Sequence, residues 1–458
     1  MHVTDQLFGD RSFRKELLRI AVPVALQNLL ISSLSVVDTL MIGQLGEVEI
    51  AAVGLANQLF FLSLLFFFGV SSGASVFIAQ FWGKKDIPSI HRTVGFAFSF
   101  AGSAAILFSL LSLTIPDQIL RIFTTDEAVV TVGVEYLRVV GISYLFVAAS
   151  VLSSVSLRSI EEAATPLRAT TASIIANIIL NYLLIFGKFG FPQMGVAGAA
   201  LATTISRCLE LIILYHAIFV KKNILAAPVR TFFDFNSSFV RRFLKTATPV
   251  ILNEMAWATG MVVYKIVFAR MGTGVIAAMN IVDTASNLLF IIFMGTSNAC
   301  AVMIGKRVGM GKKEEAFTAG RHFIAIGFFF GAVVGLGALL LARFIPGLFN
   351  VSDQVKLMTA RVLRLFPIIF PLKALNIHTV IGIFRAGGDT AFSFFVDLSG
   401  VWLVGVPLAF LGAFVWELPI HLLFLLLGME EVCKTIMGLL RFRSRLWVRD
   451  ITEGEVST

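Results

Sequence analysis

Apolar runs of about 20 residues follow one another along the whole chain, separated by short polar stretches. Wound as a helix, a run of that length matches the hydrocarbon core of a bilayer. Twelve runs are expected to span, at roughly 17–42, 50–82, 92–115, 131–154, 165–186, 194–220, 246–270, 275–305, 318–345, 358–382, 391–414 and 416–440. The second and eighth are too long for one straight crossing. They point to a tilt or a break near Gly69–Gly73 and near Gly295. No stretch shows the short alternating segments that a membrane barrel needs.

The pattern repeats. Pro23 opens VPVALQN and Pro249 opens TPVILNE, 226 residues later. Gly46 pairs with Gly272, IAAVG at Ile50 with IAAMN at Ile276, and Gly69 with Gly295. Each half then reaches a basic turn, GKKD at Gly83 and GKKE at Gly311. One shared offset is the mark of an internal duplication, the usual layout of a secondary transporter. The expected fold is an all-α integral membrane protein with twelve transmembrane helices in two six-helix lobes. Residues 1–220 form the N-lobe, 221–245 a cytoplasmic basic linker, 246–440 the C-lobe and 441–458 a cytoplasmic tail. Each lobe has an even number of spans, so the two enter the membrane in the same orientation.

Composition agrees, with 57% hydrophobic and only 14% charged residues, against about 25% charged in a soluble domain. The net charge of +9 invites a nucleic-acid reading, but its placement argues otherwise. Lys and Arg gather in alternate connections: Arg11–Arg19, Lys84–Arg92, Lys221–Lys245, Lys306–Arg321 and Arg441–Arg449. The other connections carry Glu47, Glu49, Asp117, Asp126, Glu127 and Glu417. That is the positive-inside pattern, and it places both termini in the cytoplasm and the protein in the cytoplasmic membrane. The polar, basic N-terminus is not expected to be a cleaved signal. Cys208, Cys300 and Cys433 lie in apolar segments without metal-ligand spacing and read as packing residues.

A polar side chain at membrane depth needs a partner or water, so these few residues are the candidates for function. Asp38, in SLSVVDTLMIG, has no cation three or four residues away. It reads as a proton or Na⁺ site, against a carboxylate at interfacial water. Asn177 and Asn181 share one face of the fifth span, and Thr203 and Thr204 follow the small-residue run GVAGAALA in the sixth. These are either oxygens around a cation or interhelical hydrogen bonds. Glu254, beside Asn253 and near Trp257, is an acid of the seventh span. It reads as a substrate or second coupling site, with a cross-helix salt bridge as the alternative. Arg207 and Glu210 are spaced to neutralise each other. Asp283 and Asp397 are open to pairing with Lys265, Arg270, Lys373 or His378. The Phe-rich stretches read as lipid-facing or packing residues. No nucleotide, hydrolase or metalloprotease motif stands in a fitting context, so the chain is expected not to be an enzyme.

The chain resembles the multidrug and toxic compound extrusion (MATE) family over about residues 15–440. The likeness rests on VDTLMIGQLGEVEIAAVGLA, SSGASVFIAQFWGKKD, NIILNYLLIFG, GVAGAALATTISR, TPVILNE and FRAGGDT, in that order. FRAGGDT and the Asn253–Glu254 pair resemble a bacterial NorM-like branch. The resemblance implies a cation-coupled antiporter with two six-helix lobes around a central chamber. It places Asp38 on the first-helix acid, Asn177 on the fifth-helix amide, Thr203 near the sixth-helix hydroxyl and Glu254 on the seventh-helix acid. Asn181 stands where several members carry Asp, and the tenth-helix acid of some members is absent from PLKALNIHTVIG. A site with one charge fewer favours H⁺ over Na⁺ as coupling ion, because a metal cation loses Coulomb energy with each missing charge.

The expected function is export of small organic, lipophilic cationic compounds by a monomer in the membrane lipid, with no cofactor beyond H⁺ or Na⁺. Two alternatives stay open. A flippase for lipid-linked precursors would line its chamber with several cations to hold phosphate, and few are present. A non-transporting receptor or scaffold would not need an acid in each lobe.

Overall fold

The computed structural model describes residues 7–349 and 351–452. Among them the ordered structure is helical throughout, as the bilayer requires of any chain that must satisfy its own backbone. The first half contains α1 (Arg11–Gly43), α2 (Glu47–Lys84), α3 (Ile87–Thr114), α4 (Pro116–Arg121), α5 (Glu127–Val140), α6 (Ser143–Ser159), α7 (Ala164–Phe186) and α8 (Gly195–Tyr215). A short α9 (Val229–Phe232) follows. The second half contains α10 (Ser237–Met271), α11 (Thr273–Gly309), α12 (Lys313–Leu341), α13 (Asp353–Leu363), α14 (Phe366–Ile377), α15 (Thr390–Leu398), α16 (Val406–Phe410), α17 (Ile420–Leu427) and α18 (Met429–Ser444). Wider π turns extend α14 to Arg385 and join α15 to α16.

Ten of the described helical stretches are long and apolar enough to cross a bilayer, and α5 with α6, bent by 51°, makes an eleventh. The last expected span, 416–440, is built from α17 and α18 and carries Glu430, Glu431 and Lys434 in its second part. The anticipated breaks are not there. Both α2, with 38 residues, and α11, with 37, run unbroken past Gly69–Gly73 and Gly295. At 1.5 Å per residue each is about 55 Å long, so their ends extend beyond the hydrocarbon layer.

The duplication survives as backbone geometry. Gly46 (φ 155°) and Gly272 (φ 130°) occupy matching turns, as do Lys85 (φ 60°) and Gly311 (φ 74°), and Glu161 (φ 68°) and Gly388 (φ 90°). Sequence and turn type thus keep the same offset, with one added residue by the third pair.

Contacts divide the chain into two compact units. One comprises the chain up to Ala25, Ala79–Lys84 and the chain from Thr248; the other comprises Leu26–Ile78 and Lys85–Ala247. One division lies beside the linker, but the others fall inside α1 and near the end of α2. In the first unit Phe293, Phe366, Phe370, Leu363 and Leu423 form the core. There the end of α2 meets α11 so closely that a Cβ on Gly309 would lie 1.9 Å from the Gln80 carbonyl oxygen. In the second unit Leu120, Leu137, Ile185 and Ala200 are central. The small-residue run of α8 does bring helices together: a Cβ on Gly198 would lie 2.6 Å from the Leu184 carbonyl oxygen of α7. The basic linker packs rather than hangs. Ile224 carbonyl oxygen bonds His91 Nε2 at 2.8 Å, and Phe232 lies against Gly95 of α3.

Candidate functional site

In the unit of α7 and α8, Asp38 stands half-buried on α1 with α7 opposite. Asn181 Nδ2 donates to Asp38 Oδ1 at 2.7 Å and to Asn177 Oδ1 at 3.0 Å. Asn177 Nδ2 donates to Ser206 Oγ at 3.3 Å, and Ser206 Oγ donates to the Thr203 carbonyl at 2.9 Å. Ser173 Oγ donates to the Ser206 carbonyl at 2.7 Å. The chain of bonds links α1, α7 and α8. Asn181 is only 1% exposed, and its Oδ1 finds no hydrogen-bond partner among the described residues. A buried amide oxygen beside a carboxylate is a ligand pair suited to a hard cation or a hydronium-sized guest.

Asp38, Asn177 and Asn181 are therefore brought together, with Thr203 joining through its backbone oxygen. Thr204 turns away and donates to the Ala200 and Val139 carbonyls at 2.9 and 3.2 Å. Ser173 and Ser206 were not singled out in the sequence. The signal was present: Thr170, Ser173, Asn177 and Asn181 recur at three- and four-residue spacing and form one polar stripe on α7. The stripe continues inward. Gln27 Nε2 donates to Thr170 Oγ1 at 2.8 Å, Thr170 Oγ1 donates to Glu210 Oε1 at 2.6 Å, and Glu210 Oε2 holds Arg207 at 2.8 Å. Arg207 and Glu210 thus pair as their spacing predicts. Arg207 also adds positive potential at Asp38, so that carboxylate is less isolated than its own helix suggests.

In the other unit Glu254 does not stand alone. Its Oε1 lies 2.7 Å from Arg385 Nη1. Arg385 is 3% exposed and belongs to the FRAGGDT segment. Trp257 is 42% exposed. Asn253 turns instead to Asp397, donating from Nδ2 to Oδ2 at 2.9 Å. Asp397 pairs with Lys434 at 3.3 Å, a correction to the four cations considered from the sequence. Lys265 and Lys373 supply positive potential at Asp283, and Lys373 also lies over the Phe290 ring at 5.6 Å. His378 is tied to the Ala374 carbonyl and Thr296 Oγ1, at 2.7 and 2.9 Å. Among the described residues no group of three or more His, Cys, Asp or Glu is placed to hold a metal ion, and the three cysteines are free.

Duplicated apolar halves with polar side chains gathered at membrane depth define a secondary transporter. Residues 23–183 and 249–411 match the MatE family, and the chain belongs to it. It is 26% identical over 457 residues to a protein called an uncharacterized transporter, YisQ, of Bacillus subtilis, covering 96% of each chain. It is 26% identical to a probable multidrug resistance protein NorM of Thermotoga maritima, covering 95% of this chain and 93% of that one. The fold matches a MOP superfamily transporter from Pyrococcus furiosus, at TM-score 0.86 and 21% identity, over 97% of this chain and 98% of that one. An outward-facing multidrug resistance MATE family transporter superposes at TM-score 0.85 and 21% identity, with the same coverage of both chains.

Proposed function

We propose that the chain is a cation-coupled antiporter that exports lipophilic organic cations across the cytoplasmic membrane, with Asp38 as the exchangeable carboxylate. The observation that carries this is the bond from Asn181 to Asp38. The half-buried acid is held by a neutral amide, not by a salt bridge, so its charge is left for a mobile cation to neutralise. Occupancy by a cation removes the cost of the buried charge. It also changes the demand on the Asn177–Asn181–Ser206 chain, which joins three helices. A difference in cation affinity between two conformations is what biases an alternating-access cycle.

The donor set favours H⁺. It offers one carboxylate and neutral amide and hydroxyl groups, whereas a metal cation gains from each further negative charge. The flippase reading is weakened by the state of three of the membrane-depth cations, Lys265 and Lys373 not being among them. Arg207, Arg385 and Lys434 are each paired with a carboxylate and are not available to a phosphate without breaking a buried pair.

The test is dye efflux from proteoliposomes under an imposed pH gradient and, separately, an imposed Na⁺ gradient. Efflux by the wild type that follows the pH gradient, and loses that dependence in Asp38→Asn, supports the reading. Gradient-driven efflux at wild-type rates in Asp38→Asn rejects it.

A further inference from the structure

Lys434 is a buried charge to which the export cycle gives no task. It is 5% exposed and lies on α18. Its Nζ is 2.6 Å from Glu430 Oε1 and 3.3 Å from Asp397 Oδ1. Tyr264 of α10 donates its hydroxyl to Glu430 Oε2 at 2.6 Å. Asn253, also of α10 and 3% exposed, donates to Asp397, while its Oδ1 is buried and finds no partner among the described residues. Two carboxylates therefore hold one ammonium, and a phenol and an amide N–H each hold one of those carboxylates.

The duplication says which site this is. With the offset set by Pro23 and Pro249, Gln27 corresponds to Asn253 and Asp38 to Tyr264. Past the matched left-handed turns at Glu161 and Gly388, Thr170 corresponds to Asp397, Thr203 to Glu430 and Arg207 to Lys434. The contacts repeat with the residues. Gln27 donates to Thr170 at 2.8 Å as Asn253 donates to Asp397 at 2.9 Å. The charges do not repeat. In the first half Arg207 is held by Glu210 on its own helix, and Met437 replaces that acid in the second. Tyr264 replaces Asp38, while Val404 and Leu408 replace Asn177 and Asn181. The ammonium of Lys434 instead reaches inward to the two carboxylates.

We propose that Lys434 is a tethered cation, filling from within the place of a monovalent metal ion, and that removing its charge uncovers a Na⁺ site made by Glu430 and Asp397. Two carboxylates converging on one point, with Glu430 buried and Asp397 partly so, need a positive charge between them. An ammonium and Na⁺ carry the same charge and both bind oxygens, the ammonium by donating N–H, but the ammonium cannot leave. This half of the protein consequently exchanges no ion at that position. The inference stands whatever the role of Asp38, because no residue of that site takes part.

Thermal melting of the purified full-length protein in 100 mM NaCl against 100 mM choline chloride tests it on three proteins: wild type, Lys434→Met, and Lys434→Met with Glu430→Gln and Asp397→Asn. Lys434→Met should melt below wild type in choline. In NaCl it should rise by about 3 °C or more beyond any rise the wild type shows, in a saturable way. In the triple variant that extra rise should vanish. Lys434→Met that gains nothing over wild type from Na⁺, or that folds in neither salt, overturns the proposal. So does an equal gain in the triple variant.

Discussion

In the proposed cycle, Asn181 is the residue on which the choice of ion turns. It donates to Asp38 at 2.7 Å, so Asn181→Asp sets a second carboxylate within hydrogen-bond reach of the first. Two such groups cannot both ionise without a cation between them. The variant should gain Na⁺-stimulated efflux where the wild type has little, measured as initial rate against Na⁺ concentration at fixed pH. An unchanged Na⁺ response would remove Asn181 from the ion site. Glu254 poses a different question. Its carboxylate is held by the buried Arg385, and Glu254→Gln leaves that guanidinium without its counter-charge, a loss of about 3 kcal/mol. The expected outcome is a lowered melting temperature and equal loss of cationic and neutral substrates, with stability regained in Glu254→Gln with Arg385→Met. Selective loss of cationic dyes at unchanged stability would instead give Glu254 to the substrate. Asp38 was legible in the sequence because an acid in an apolar run has few explanations. The partners of Glu254 and Asp397 were not, since Arg385 and Lys434 lie on other helices and sequence spacing reports only on neighbours along one helix.

At the scale of helices, α7 and α8 form the frame of the Asp38 site. Their approach depends on Gly198, whose missing side chain lets the Leu184 carbonyl come within contact. Gly198→Leu should force α8 away from α7, cost about 1–3 kcal/mol of stability, and misalign Ser206 with Asn177. Efflux should fall with wild-type Asp38 still in place, and a melting curve paired with a transport assay checks both parts. Retained stability and transport would show that the contact is not tight. The helices themselves were readable, because membrane length and apolarity fix them. Their irregularities were less so. Glycines at Gly69–Gly73 and Gly295 suggested breaks, yet a Cβ on Gly73 would lie 2.6 Å from Ala247 Cβ and one on Gly295 2.7 Å from the Ala21 carbonyl oxygen. Those glycines serve close packing within continuous helices, a use that looks the same in sequence as a kink.

At the scale of the molecule, one duplicated plan carries two different charge arrangements. The repeat offset and the matched glycines at Gly46 and Gly272 were set out along the chain, whereas the amide contacts of Gln27 and Asn253 came only with the structure. What the duplication did not reveal is that one half carries an acid held by the Asn181 amide while the other carries a carboxylate pair closed by an ammonium. In the proposed function, coupling falls to Asp38 alone. The most direct measurement is dye efflux from proteoliposomes holding wild type or Asp38→Asn, driven by a pH gradient at zero Na⁺. Gradient-dependent efflux is expected from the wild type, and from Asp38→Asn none above empty liposomes at matched protein content and stability. Efflux by Asp38→Asn that still follows the gradient would contradict the proposed function.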